Sequence, residues 1–148
     1  NRGPIMGRER FAEFILPGLA RQSEAVRRRG KVFIKHTDGL VWDLLDSFVE
    51  LGIAGWHGIQ PAIGMDLARL KQRYGGRLCF FGGVDCDTLI SAPPEQARAQ
   101  VRQAIAGAAR GGGLVVTTSN VLQPGTRLEN YLAMRQAVRD FGQYPLNL

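Results

Sequence analysis

Residues 30–39 read GKVFIKHTDG: a glycine, the short strand-like segment KVFIK, and the polar tip HTDG. The same order of glycine, apolar segment and polar tip returns at residues 52–60, 76–87 and 113–120. Each glycine follows a stretch with helical periodicity, and glycine often ends a helix because it tolerates the left-handed conformation. The repetition predicts four helix–strand units, with strands over Lys31–Lys35, Ile53–Ile59, Arg77–Gly82 and Leu114–Thr118.

This alternation predicts an α/β fold with parallel strands, because right-handed crossovers bring each strand beside the one before it. Parallel sheets bind ligands at the carboxyl ends of their strands, so the four polar tips predict the functional site. Four units form either a small open sheet or half of an eight-stranded barrel. A half barrel leaves two strand edges and an apolar inner face uncovered, which predicts that a missing half or a second copy covers them.

The stretches between the strands carry apolar residues at intervals of three and four, which is typical of helices. Pro17 interrupts the first of them, over Arg8–Arg29, and predicts a break there. Thr126 and Glu129 have the spacing of a capping box and predict the start of the last helix. The other helices are predicted over Leu40–Leu51, Met65–Tyr74, a stretch after Pro93-Pro94, and Leu128–Phe141. Since no linker interrupts residues 1–148, one structural unit is expected.

Composition narrows the class of protein. The net charge of +6 comes mainly from arginines that are spread over predicted helices among Asp and Glu, so no nucleic-acid partner is expected. No segment approaches the roughly 20 apolar residues that span a bilayer, so no membrane partner is expected. The two cysteines form no CxxC pair, which favours a cytoplasmic protein. The chain begins at Asn1 and enters a helix at once, which indicates a piece of a longer protein.

The tip at residues 36–39 has the residues best suited to catalysis or metal binding. His36 at a strand end is a candidate proton donor or metal ligand, and Asp38 can orient its imidazole or coordinate beside it. The alternative is that Asp38 only caps the helix that begins at Leu40. Because strand side chains alternate between faces, only one of His36 and Lys35 is expected to face a barrel interior. The sequence leaves open which of the two does.

The other tips add a second carboxylate and several hydrogen-bonding groups. Asp85 is a candidate catalytic group, or alternatively a residue that only orders its loop. The preceding Gly83 would let a substrate approach the backbone closely. His57, beside Trp56, is interpreted as a packed or surface histidine rather than a ligand. Side chains expected to contact the substrate are Gln60, Ser119, Asn120 and Gln123.

Taken together, these stretches resemble the C-terminal half of the uroporphyrinogen decarboxylase superfamily, which also contains cobalamin-linked, zinc-dependent methyltransferases. The resemblance covers nearly the whole chain and rests on the order and spacing of several motifs. It implies a TIM-type (β/α)8 barrel of which this chain holds about the last four units. The matching stretches are Gly30-Lys31-Val32, His36-Thr37-Asp38-Gly39, Leu70-Lys71 with Tyr74-Gly75, Gly82-Gly83-Val84-Asp85, the triple glycine 111–113, and 124–130.

For each of the two activities of the superfamily, this chain lacks a key residue. Where the methyltransferases have a zinc-binding His-x-Cys-Gly tip, His36 matches and Asp38 replaces the cysteine; their further cysteine, near Asn120, is absent. The decarboxylases carry a histidine near the position of Asn120, and their Asn-Leu-Asp-Pro stretch appears here as 83–86. Their substrate-binding arginines lie in the N-terminal half, which this chain does not include.

The resemblance implies an enzyme, and the match at His36 favours a methyltransferase-like member that takes part in corrinoid-linked methyl transfer. Its expected cofactors are a divalent metal such as zinc, held by His36 and Asp38, and a corrinoid carried by a partner protein. One alternative is a decarboxylase that acts on uroporphyrinogen or another tetrapyrrole in porphyrin biosynthesis. The other is a non-catalytic half-barrel binding module, which would need its N-terminal half or a dimer partner.

Overall fold

Four parallel strands form one sheet in this computed structural model, which describes residues 5–146. They are β1 (Ile34–His36), β2 (Gly55–Ile59), β3 (Cys79–Val84) and β4 (Leu114–Thr118). Their order in the sheet is β1-β2-β3-β4, and each neighbouring pair is parallel. The sequential order is that of a barrel segment, so the predicted α/β half barrel is confirmed. Asn1, which predicts a longer protein, lies outside the described residues.

The helices cover one side of this sheet and bury the core against it. Within residues 5–146 no helix combines the length and the apolar composition needed to cross a membrane. Two short 3-10 turns, Trp42–Leu44 and Pro61–Ile63, precede the helices that connect β1 to β2 and β2 to β3. The α-helices are α1 (Arg8–Phe14), α2 (Leu16–Arg27), α3 (Leu45–Glu50), α4 (Leu67–Tyr74), α5 (Cys86–Ser91), α6 (Pro94–Ala108) and α7 (Leu128–Phe141).

The core lies between sheet and helices as two adjoining clusters. In the first, Trp56 of β2 and Phe80 of β3 are fully buried together with helix residues such as Phe48 and Leu70. In the second, Val84 of β3 packs with residues of α6 and α7, namely Val101, Ile105, Met134 and Ala137. Burial of these large side chains is the main source of stability for the fold.

The opposite face of the sheet includes apolar side chains that stay partly exposed. Ile34 and Val115 remain 44% and 43% exposed there. Gly55 lies between Ile34 and Phe81, and a Cβ at Gly55 would come within 2.9 Å of the Phe81 ring. This is the face that points inward in a barrel. That a missing half or a second copy covers it stays a prediction.

Most predicted elements form within a few residues of their predicted limits, and the break at Pro17 is confirmed as the boundary between α1 and α2. Gly30, Gly52 and Gly113 have the left-handed conformation predicted for them, with φ of 65°, 69° and 77°. Gly76 does not have this conformation. At the end of α4 the Tyr74 carbonyl instead accepts hydrogen bonds from the backbone amides of Arg77 and Leu78, without a left-handed residue. Helix α5 was not predicted.

The predicted capping box at Thr126 and Glu129 is wrong. Helix α7 starts from Arg127 without a side-chain cap, the Thr126 hydroxyl donates to the Gln123 carbonyl, and Glu129 pairs with Arg127. The start of α7 is instead fixed by Asn130, which is fully buried. Its side-chain amide donates to the carbonyl oxygens of Thr88, Leu89 and Ala92, at 3.3, 3.1 and 2.8 Å, and so satisfies the end of α5.

Replacement of Asn130 by alanine should therefore destabilise the protein by about 1 to 3 kcal/mol, because the Ala92 carbonyl loses its donor, while the Thr88 and Leu89 carbonyls keep the N–H groups of Ala92 and Arg127. Urea unfolding of the purified protein measures this. The control is Thr126→Ala, which should change the free energy of unfolding by less than about 0.5 kcal/mol. A loss of about 1 kcal/mol or more in the control, with a silent Asn130→Ala, would support the capping box instead.

Candidate functional site

A cavity of about 420 Å³ opens at the carboxyl ends of the strands. The parallel strands bring most of the predicted site residues to this one rim, although they come from all four helix–strand units. His36 stands beside the cavity, and Gly83 borders a different one between α4 and α6, of about 360 Å³. The predicted residues that line the rim cavity are Asp38, Gln60, Asp85, Ser119, Asn120 and Gln123. Their catalytic and binding roles stay predictions.

Asp38 lies between His36 and Asn120. One carboxylate oxygen accepts a hydrogen bond from Asn120 Nδ2 at 2.8 Å, and the other lies 3.4 Å from His36 Nε2, within ion-pair distance. That second oxygen is buried and accepts no hydrogen bond. Asp38 caps no helix, because the first helical turn after it begins at Trp42. The carboxylate is therefore held by Asn120 and turned toward His36.

His57, interpreted from the sequence as a packed or surface residue rather than a ligand, lies next to His36. It is the register partner of His36 on the neighbouring strand, and the two Nδ1 atoms lie 2.8 Å apart. Its Nε2 lies 3.2 Å from the carbonyl oxygen of Thr118. Strand alternation between Trp56, in the core, and His57 was the sequence signal that could have placed it on the inner face with His36.

The partners of the two histidines restrict where their protons lie. A carbonyl oxygen only accepts, so His57 Nε2 carries the proton that points at Thr118. The contact between the two Nδ1 atoms needs one proton and one lone pair, so the two rings hold at most one positive charge together. When His57 is neutral, His36 donates from Nδ1 and its Nε2 faces Asp38.

Asp85 forms the second polar centre of the rim and is only 9% exposed. Gln100 of α6 holds it twice: the Gln100 amide donates to the carboxylate at 3.2 Å, and its oxygen accepts the Asp85 N–H at 3.0 Å. Burial raises the pKa of the Asp85 carboxyl, while hydrogen bonds from the Ala62 N–H and Gln100 oppose the rise and nearby Asp87 adds to it. The carboxyl therefore keeps its proton more readily than an ordinary aspartate does.

Gln60 and Ser119 have structural contacts as well as a place on the rim, whereas Gly83 packs against a helix. Gln60 accepts the backbone N–H of Gly39 at 3.2 Å and so orders the first tip. Ser119 is buried, with its hydroxyl 3.6 Å from the Cys86 sulfur. At Gly83 a Cβ would come within 2.7 Å of Ala104 on α6. The group that approaches the Gly83 backbone closely is therefore helix α6 of the protein itself.

The residues present do not by themselves make the predicted zinc site. His36 and Asp38 offer two donors whose atoms lie 3.4 Å apart. Within residues 5–146 no group of three or more His, Cys, Asp or Glu residues could hold a metal ion. Protein zinc sites use at least three protein ligands. A metal at His36 and Asp38 therefore stays a prediction that would need a ligand from outside this part of the chain.

Comparison with known proteins places this rim in a family context. The family model described as uroporphyrinogen decarboxylase matches residues 2–141. A uroporphyrinogen decarboxylase from Ralstonia pickettii (strain 12J) is 33% identical over 108 residues, which are 70% of this chain and 28% of that protein. The solved structure of a methyltransferase from Methanosarcina mazei superposes with a TM-score of 0.78 at 25% identity, over 93% of this chain and 39% of that one. The chain spans well under half the length of both.

The raised pKa of Asp85 makes a prediction about stability. A carboxyl whose pKa is higher in the folded than in the unfolded state costs stability while it is ionised, and that cost disappears as the pH falls through its folded pKa toward the ordinary value. Wild type should therefore gain stability relative to Asp85→Asn between about pH 7.5 and about pH 4. Urea unfolding of both proteins across this range measures the difference. A relative loss of wild-type stability on acidification would contradict the assignment.

Proposed function

This chain belongs to the uroporphyrinogen decarboxylase family, and from that membership we propose that the full-length protein is a methyltransferase-like enzyme that uses His36 as a proton donor. The observation that carries the proposal is the chain of contacts from His57 through His36 and Asp38 to Asn120. It holds an imidazole Nε2 against a carboxylate beside an open cavity. Such an imidazole is suited to general acid catalysis near neutral pH.

In the proposed reaction a methyl group leaves a heteroatom of a small organic donor. The bond from methyl carbon to heteroatom breaks, the methyl group passes to a nucleophilic acceptor, and His36 Nε2 gives its proton to the departing heteroatom. Asp38 stabilises the protonated imidazole before transfer, and Asn120 keeps Asp38 in place. The acceptor proposed is a reduced corrinoid bound to a partner protein, which supplies a strong nucleophile.

The methyltransferase from Methanosarcina mazei supports this choice, because its structure superposes on 93% of this chain. The steps assigned to His36, Asp38 and Asn120 use only groups that this chain contains.

Decarboxylation is the second candidate, and the similarity to a uroporphyrinogen decarboxylase favours it. In that reaction a carbon–carboxylate bond breaks, carbon dioxide leaves, and His36 Nε2 would protonate the carbon left behind. Asp85, with its raised pKa, is the second group able to carry a proton at this rim. A non-catalytic binding module is the third possibility, but it gives no role to the ordered pair of His36 and His57.

The test uses the full-length protein with free cob(I)alamin as methyl acceptor and a panel of methoxyarenes, methylamines and methylthiols as donors. Methylcobalamin formation, followed by absorbance, is the expected result with at least one donor class. His36→Gln should lower kcat by about 10²- to 10⁴-fold, because it removes the proton donor. Lys35→Gln is the matched control, since Lys35 is adjacent on β1 and alternates to the other face.

Activity lost in Lys35→Gln but kept in His36→Gln would reject the role of His36. Failure of every methyl donor, together with carbon dioxide release from a porphyrinogen, would replace methyl transfer by decarboxylation.

A further inference from the structure

We propose that His57 is a positioning residue that fixes the tautomer and ring orientation of His36, so that Nδ1 of His36 donates to His57 and Nε2 of His36 faces Asp38 at the rim. The importance of this for catalysis rests on the proposed function. The structural part of the inference does not, because it follows from the contacts of the two rings and from the backbone that carries them.

The ring of His57 is fixed at both of its nitrogens. Nε2 donates to the carbonyl oxygen of Thr118 at 3.2 Å, and Nδ1 meets Nδ1 of His36 at 2.8 Å. The acceptor end is rigid, because Thr118 is buried and the next amide, that of Ser119, donates to the Val84 carbonyl at 2.8 Å. His57 therefore cannot turn without losing a contact to another strand.

The backbone around His57 allows this reach. The ring starts on β2 and contacts β4, so it reaches across β3. The pairing of β2 with β3 is irregular between His57 and Ile59, at Gly58, which has a φ of 106°. A Cβ at Gly58 would clash with the Thr37 carbonyl oxygen, so a side chain there would push the first tip away.

These contacts determine what His36 can do. Because Nε2 of neutral His57 holds its proton on Thr118, Nδ1 of His57 can only accept, and His36 must donate from its own Nδ1. Nε2 is then the one nitrogen of His36 that can gain or lose a proton without breaking the contact between the rings. It is also the nitrogen that faces Asp38. Without His57, nothing in this arrangement keeps the proton of neutral His36 on Nδ1.

The experiment compares His57→Phe and His57→Asn in the full-length protein. Phenylalanine keeps a ring but removes both nitrogens, whereas asparagine keeps an amide that can place its oxygen near the position of Nδ1. Side-chain ¹⁵N NMR of labelled histidine reports which nitrogen of His36 carries the proton, and the His36→Gln spectrum assigns its signals. Thermal unfolding shows whether each variant is folded.

We expect Nδ1 of His36 to be protonated in wild type and in His57→Asn, and the proton to move to Nε2 in neutral His36 of His57→Phe. In the cobalamin assay, kcat of His57→Phe should fall on the order of 10- to 100-fold with KM nearly unchanged, and His57→Asn should recover part of the loss.

A folded His57→Phe in which His36 keeps its proton on Nδ1 overturns the inference. If His57→Phe does not fold, His57→Leu, which also removes both ring nitrogens, takes its place: movement of the proton to Nε2 supports the inference, and a proton kept on Nδ1 overturns it. A changed tautomer with unchanged activity supports the positioning by His57 and instead rejects His36 as the proton donor.

Discussion

Parallel pairing of β1 to β4 is the constraint on which the rest of this structure depends. Because all four strands run the same way, their polar ends must meet at one rim, and residues as distant in sequence as Asp38 and Asn120 come within 2.8 Å. The same direction lets His57 of β2 reach across β3 to the Thr118 carbonyl of β4. The chemistry of the site is therefore a consequence of strand direction.

Amide side chains order the acidic groups of this rim. Asn120 holds Asp38, Gln100 holds both the backbone and the carboxyl of Asp85, and Asn130 holds the end of the short helix that follows Asp85. An amide donates to a carboxylate or a carbonyl without adding a charge. Asp38 thus stays available as the partner of His36, and the raised pKa of Asp85 survives its hydrogen bonds.

The sequence predicted the strands and the rim because both follow from local patterns: periodicity, glycine stops and the polar tips at 36–38, 85 and 119–120. It missed contacts that depend on distant partners. His57 was assigned to packing because its link to Thr118, 61 positions away, exists only once β2, β3 and β4 are side by side. The capping box failed for the related reason that Asn130, bound to three carbonyls of another segment, fixes α7.

A crystal structure of the full-length protein tests most directly whether the strand ends build one proton-transfer site. The account predicts Nδ1 of His36 within about 3 Å of Nδ1 of His57, on the interior face of a closed barrel, with Asp38 between His36 and Asn120. It would be contradicted by histidine rings too far apart to share a proton, or by His36 and Asp85 at different ends of the sheet.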